Sequence, residues 1–375
     1  MISNNLVCIV GARPNFMKIA PIFRELQKVG NVIRPWLVHT GQHYDQAMKD
    51  SFFQQLGIPE PDYDLGVGSG SHAVQTANIM LRFEPILDEL KPFAVLVVGD
   101  VNSTIACGLT AVKKNIPLIH VEAGLRSFDR DMPEEINRIL TDQISDLLFT
   151  TERAAAENLY REGIDPQRIH FAGNVMIDTL LENCRLAISV PETLQNYGYN
   201  RVLDEKSYAL LTLHRPSNVD DLDTLSRLMA AIEDISKKLP IIFPVHPRTQ
   251  QKIIQAGLLS QLAEDRIILL PPVAYLEMLG LMQSAKLVLT DSGGLQEETT
   301  ALGVPCITLR ENTERPITIT DGTNTIVGTD AVKILQCLDD IIQNGGKCGR
   351  IPEFWDGKAA SRIVKEIIRR YISAQ

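Results

Sequence analysis

Short apolar runs alternate with amphipathic stretches along almost the whole chain. Residues 6–10, 35–39, 94–98, 117–121, 147–151 and 169–172 are such runs, rich in Val, Ile and Leu. They are too short for helices and read as buried strands. Between them, 16–29, 72–89, 105–113 and 134–144 place apolar residues at helical spacing. This is the βαβ rhythm of a parallel, doubly wound sheet.

The rhythm breaks at 190–207, where Pro191, Asn196, Gly198 and Asn200 stand among few apolar residues. It resumes with predicted strands at 208–213, 241–245, 266–270, 286–290 and 305–309. Helices are predicted at 222–238, 276–283 and 295–302. The expectation is an α/β protein of two doubly wound domains, 1–189 and 208–358, joined by a linker at 190–207 and facing a cleft. The stretch 359–375 has helical spacing and is expected to cross back to the first domain.

A length of 375 residues suits two such domains. No apolar window reaches the roughly 18 residues of a membrane span, and the N-terminus lacks a basic leader, so no signal peptide is expected. Six scattered cysteines without a CxxC read as reduced thiols in a cytoplasmic protein. A net charge of −9 argues against a nucleic-acid or anionic-membrane surface. It leaves room for a small phosphorylated ligand held by a few local cations.

The candidate chemistry lies where predicted strands turn into helices, the edge at which doubly wound sheets bind ligands. Asp291-Ser292-Gly293-Gly294 is a tight turn opening a helix, which suits a phosphate. Arg13 and Lys18 follow the first strand and could meet a diphosphate. Asp100 ends one strand and Glu122 ends the next, so the two could approach each other as acid and base. Each also has a plainer reading: Asp100 as a helix cap, Glu134 and Glu135 as acids favoured at a helix start. His214-Arg215 and His246 end strands of the second half, and Gln42 and His43 follow the second strand of the first half. GxGxxG and the P-loop pattern are absent, and the histidine spacings do not form a metal motif.

The motifs together resemble the UDP-N-acetylglucosamine 2-epimerases. The resemblance runs through Gly11-Ala12-Arg13-Pro14, Thr40-Gly41-Gln42-His43, Gly99-Asp100, the run from His120 to Arg126, Pro133-Glu134-Glu135, Gly173-Asn174, His214-Arg215, Pro244-Val245-His246-Pro247, Asp291-Ser292-Gly293-Gly294 with Glu297-Glu298, and Thr313-Glu314-Arg315-Pro316. It implies two Rossmann-like domains in the glycosyltransferase-B arrangement, and inversion at C2 of a UDP-sugar without metal or nucleotide cofactor. UDP would leave, giving a bound 2-acetamidoglucal, and add back. Asp100, Glu122 and Glu134, with His214, match the catalytic positions. Arg13, Lys18, Arg138, Ser292, Gly293, Gly294, Glu298 and Arg315 match UDP-sugar contacts.

Gln42, His43, Arg215 and His246 fit substrate contacts or a second nucleotide-sugar pocket found in bacterial relatives. Asp45 and Pro216 depart from that pocket's pattern, so activation through it is expected to be weak. The resemblance also implies a homodimer. It leaves open a hydrolysing relative, an epimerase for a UDP-diacetamido uronic acid, and a glycosyltransferase of the same architecture. The acidic set favours the epimerases.

Overall fold

The computed structural model describes residues 3–41, 57–259, 262 and 265–373; the Arg13 side chain also lies outside the description. The chain divides into two compact units. One holds Met1–Glu182 and Glu353–Gln375, the other Asn183–Pro352.

In the first unit, β1 (Asn5–Val10), β2 (Arg34–His39), β3 (Tyr63–Asp64), β4 (Ala94–Val98), β5 (Leu118–Ala123), β6 (Leu147–Thr150) and β7 (Ile169–Phe171) form one sheet in the order 3-2-1-4-5-6-7. Every pairing is parallel; Cys8 of β1, for example, pairs with Leu37 on one side and Leu96 on the other. Alternate residues of a strand share a face. Val7, Ile9, Val95 and Val97 therefore meet Ile79, Phe83 and Leu87 of helix His72–Leu90, and Ala106 and Cys107 of helix Asn102–Lys113.

The second unit repeats the plan with β8 (Ala209–Thr212), β9 (Ile241–Pro244), β10 (Ile267–Leu270), β11 (Leu287–Thr290), β12 (Cys306–Thr308) and β13 (Asn324–Ile326), in the order 10-9-8-11-12-13. Its core joins Ala209, Leu211, Phe243 and Leu289 to Leu228, Met229 and Ile232 of helix Leu222–Ser236 and to Leu338 of helix Ala331–Asn344. In each sheet the order reverses beside the first strand, between β1 and β4 and between β8 and β11. Such a reversal opens a crevice at the carboxyl ends of the strands. The Gly11 and Gly99-Asp100 turns lie at one crevice, the His214 and Asp291-Ser292 turns at the other.

The stretch read as a linker is part of the second unit. Residues Val190–Asn196 are a helix capped by Ser189, whose hydroxyl accepts the Glu192 amide, and Val190, Thr193 and Leu194 are buried. Tyr197 donates to Glu277 Oε2 (3.0 Å) and Tyr199 to the Leu269 carbonyl (2.8 Å). Few apolar residues suffice because the neighbouring helix and strand supply the rest of the contact. The unit boundaries fall at 182/183 and 352/353.

Helix Ala359–Tyr371 packs on helix Arg13–Lys28 in the first unit. Its first amides, Ala359 and Ala360, donate to Asp178 (3.1 and 2.7 Å). Burial pushes the Asp178 carboxyl up to about 6, against the pull of those amides. An unfolded aspartate ionises near about 3.9. Its contribution to stability is thus complete below that value and is lost as the pH rises through 6. Asp178→Asn should flatten this part of the profile. Urea midpoints of the two proteins that run parallel between pH 4 and 7 would show that Asp178 is not the source.

Candidate active site

At the first switch edge each carboxylate meets its own cation. Glu122 is the residue at a register irregularity between Val121 and Ala123, near the end of β5, and has φ +73°. That is unusual for a residue with a side chain and is tolerated where structure over-determines it, commonly at functional sites. Its Oε1 accepts from Lys18 Nζ at 2.7 Å, with both side chains buried. A Cβ on Gly99 would come within 2.7 Å of that Nζ, so Lys18 sits pressed between the Gly99 turn and Glu122. Asp100 Oδ2 accepts from Arg138 Nε (2.9 Å), and Asn137 holds the Asp100 carbonyl (2.9 Å). The acid–base approach expected between Asp100 and Glu122 is thus a set of two carboxylates on adjacent strands, each clamped by a different cation.

Helix-start position alone does not separate Glu134 from Glu135; the family resemblance points to Glu134. In the structure Glu135 is buried and accepts from the Ser127 amide (3.0 Å), the Ser127 hydroxyl (3.1 Å) and the Phe128 amide (2.9 Å), and it also pairs with Arg138. It holds the loop that leads into helix Pro133–Ile144. Glu134 is half-buried, and no hydrogen bond or ion pair to its carboxylate occurs among the described residues.

Behind this edge the His120–Arg126 motif forms a buried network around Asp142. His120 donates through Nε2–H to the Gly99 carbonyl (2.8 Å) and through Nδ1–H to Asp142 (2.7 Å). Asp142 also accepts from the Gly124 amide (3.0 Å) and Arg126 (2.7 Å). Burial opposes ionisation of Asp142, but His120 and Arg126 outweigh it and hold the carboxyl below the usual range. In sequence His120, Gly124 and Arg126 belong to one motif, but nothing there names Asp142 as the partner they share.

At the second switch edge the organiser is Asp291, fully buried. It accepts from the His214 amide (3.0 Å), the Arg215 amide (2.9 Å), Asn218 Nδ2 (3.2 Å) and His214 Nδ1 (2.8 Å). Burial works against its charge; the His214 ring and the amides prevail and lower its pKa. Because Nδ1–H is committed to Asp291, the imidazole orientation is fixed and the half-exposed ring offers Nε2.

Helix Gly293–Leu302 begins here, and Ser292 stands at its N-cap position without a side-chain cap. The first amides of such a helix lack intrahelical acceptors and carry partial positive charge. Gly293 is required, since a Cβ would meet Glu314 Oε1 at 2.6 Å. Arg315, expected at the ligand, is buried between Glu297 (2.9 Å) and Glu314 (2.5 Å). Glu298 is buried and accepts from Tyr275 (3.3 Å). Arg215 donates to the Asp291 carbonyl (3.0 Å), while His246 is exposed and caps its own helix. Gln42 and His43 lie outside the described residues, as does Asp45. Among the described residues no three His, Cys, Asp or Glu side chains form a group able to hold a metal ion, and no helix is long and apolar enough to cross a membrane.

Two Rossmann-like units, one with clamped carboxylates at its switch edge and one with an Asp–His pair beside an open helix start, define a two-domain α/β enzyme built for an anionic ligand. The chain belongs to the UDP-N-acetylglucosamine 2-epimerase family, which it matches over residues 24–368. It is 43% identical over 359 residues to the UDP-N-acetylglucosamine 2-epimerase of Methanococcus maripaludis, covering 95% of this chain and 96% of that one. It is 40% identical over 374 residues to the UDP-2,3-diacetamido-2,3-dideoxy-D-glucuronate 2-epimerase of Pseudomonas aeruginosa, covering 97% and 99%. The crystal structure of the Methanocaldococcus jannaschii UDP-GlcNAc 2-epimerase, in complex with UDP-GlcNAc and UDP, superposes with a TM-score of 0.88 at 42% identity, covering 97% and 99%.

Proposed function

We propose that this protein interconverts UDP-N-acetylglucosamine and UDP-N-acetylmannosamine by eliminating and re-adding UDP, without hydrolysis. The observation that carries the reading is the pair Asp100 and Glu122 at the ends of adjacent strands, with Glu134 in the first turn of the helix that holds the Asp100 turn, in a family member. The C2 proton is not acidic on its own, because C1 is not a carbonyl. A carboxylate takes it as the C1–O bond breaks and the electron pair leaves with UDP. The bound glucal then receives a proton on the opposite face of C2 while the diphosphate oxygen re-attacks C1. Acid, base and anion stabilisation act together in such a step.

Asp100, Glu122 and Glu134 serve as the acid–base groups. Lys18 and Arg138 set the charge around two of them. His214 Nε2, Arg13, the Ser292 hydroxyl and the amides of Gly293 and Gly294 meet the diphosphate, and Glu298 accepts from the ribose hydroxyls. Arg315 acts by bracing the helix start through Glu297 and Glu314. The same reading makes the protein a cytoplasmic homodimer.

Purified protein supplied with UDP-N-acetylglucosamine should yield UDP-N-acetylmannosamine as the accumulating product. Free N-acetylmannosamine with stoichiometric UDP would make it a hydrolysing enzyme instead. The Pseudomonas aeruginosa relative supports a second reading, in which the substrate is a UDP-2,3-diacetamido uronic acid. A kcat/KM at least tenfold higher for that sugar would replace the first.

A further inference from the structure

Helix Pro133–Ile144 holds the turn that carries Asp100 at three points. Asn137 Nδ2 donates to the Asp100 carbonyl (2.9 Å) and Arg138 Nε to its carboxylate (2.9 Å). The third contact is indirect. Asp142, near the end of the same helix, accepts His120 Nδ1–H (2.7 Å), and His120 Nε2–H is thereby aimed at the Gly99 carbonyl (2.8 Å). Gly99 has φ +67° and immediately precedes Asp100. The other oxygen of Asp142 accepts the amide of Gly124 (3.0 Å), two residues past Glu122. One buried carboxylate therefore reaches both turns that present the carboxylates, one directly and one through a histidine.

Arg126 locks the arrangement from behind. It donates to Asp142 (2.7 Å) and, through Nε and Nη2, to Glu162 (2.8 and 2.6 Å). His120, Asp142 and Arg126 are all buried. A turn with a left-handed glycine is otherwise free to pivot, because glycine has no Cβ to restrict it. A fold needing only to fill this space would use an apolar residue at 120, as at its strand neighbours Ile119 and Val121.

We infer that His120 and Asp142 are positioning residues for the epimerase reaction, fixing Asp100 and Glu122 relative to each other through the Gly99 carbonyl and the Gly124 amide. The inference rests on the reading under Proposed function for the reaction, but not for the clamp itself.

Two substitutions of His120 separate the clamp from mere packing. Glutamine places an N–H where Nε2 was and can still reach the Gly99 carbonyl. Asparagine places one where Nδ1 was and can reach only Asp142. A misplacement of about 1 Å at a reacting group can cost on the order of 10²-fold in rate. His120→Asn is accordingly expected to lower kcat about 10- to 100-fold with KM within about threefold of wild type. His120→Gln should retain kcat within about fivefold. Amide exchange read by mass spectrometry on peptides spanning 99–102 should quicken in His120→Asn and not in His120→Gln.

Asp142→Asn, which weakens the aim of His120, should lower kcat about tenfold and quicken the same peptides. Equal losses in both His120 variants that track their thermal midpoints would mean a packing role only and would overturn the inference. So would unchanged kcat and exchange in Asp142→Asn, the deciding variant should His120→Asn not fold. The exchange measurement needs no substrate. A wild-type protein inactive on UDP-sugars would therefore sink the functional reading, while the peptides still decide the clamp.

Discussion

Glu122→Gln is expected to lower kcat by roughly 10²-fold or more, the usual scale for a general acid or base. Asp100→Asn and Glu134→Gln should fall in the same range. The three differ in what else they disturb, and that difference is part of the expectation. Glu122 is the buried partner of buried Lys18. Removing its charge strands an ammonium in a dry site, which typically costs about 3–5 kcal/mol of stability. Asp100 is partly exposed and shares Arg138 with Glu135, so its loss is cushioned. Glu134 has no partner to strand among the described residues, and Glu134→Gln should fold as wild type does. Steady-state kinetics beside urea unfolding would test this ordering. Near-normal kcat in Glu134→Gln, the cleanest of the three, would remove that residue from the chemistry.

Asp291→Ala is expected to give the largest loss of stability of any single substitution at the second switch edge. The carboxylate satisfies two backbone amides, the Asn218 amide group and the His214 ring while itself fully buried. Alanine leaves these donors without their acceptor at once. Each buried donor left unsatisfied costs about 1–3 kcal/mol, and partial rehydration of the half-exposed ring reduces the sum. A total on the order of 3–5 kcal/mol follows. UDP affinity should fall at least tenfold, because His214 loses its fixed orientation beside the helix start. Chemical denaturation and calorimetric titration with UDP measure the two effects separately. An Asp291→Ala protein that binds UDP normally would show that the Asp–His pair does not serve the ligand.

The parallel strands were legible because each is a dense apolar run closed by a glycine or polar turn. Ala94–Val98 is an example, predicted and observed with the same limits. β3 and β13 escaped notice because two or three residues carry no period, and pairing with β2 and β12 makes them strands. Helix Val190–Asn196 escaped because its turn-forming residues dominate the pattern, while its few apolar residues dock on the second unit.

At the site, strand-end position alone brought Asp100, Glu122, His214 and Asp291 to the switch edges. What each side chain touches was not readable. Glu134 and Glu135 are equivalent by residue type at a helix start; the resemblance points to Glu134, and the loop 127–128 folding back on Glu135 shows what that neighbour does instead. Arg315 carries over as a UDP-sugar contact from its place in the Thr313-Glu314-Arg315-Pro316 motif, and the ion pairs it makes were not readable beside that. The buried glutamates that claim it come from a helix and a turn more than ten residues apart.

The central claim is that UDP leaves and returns while the C2 proton is exchanged. The most direct measurement is incubation of the protein with UDP-N-acetylglucosamine in D2O, followed by NMR of both nucleotide sugars. Deuterium should enter C2 of the UDP-N-acetylmannosamine formed and of the recovered substrate. Epimerised product that keeps its original proton at C2 would contradict the account.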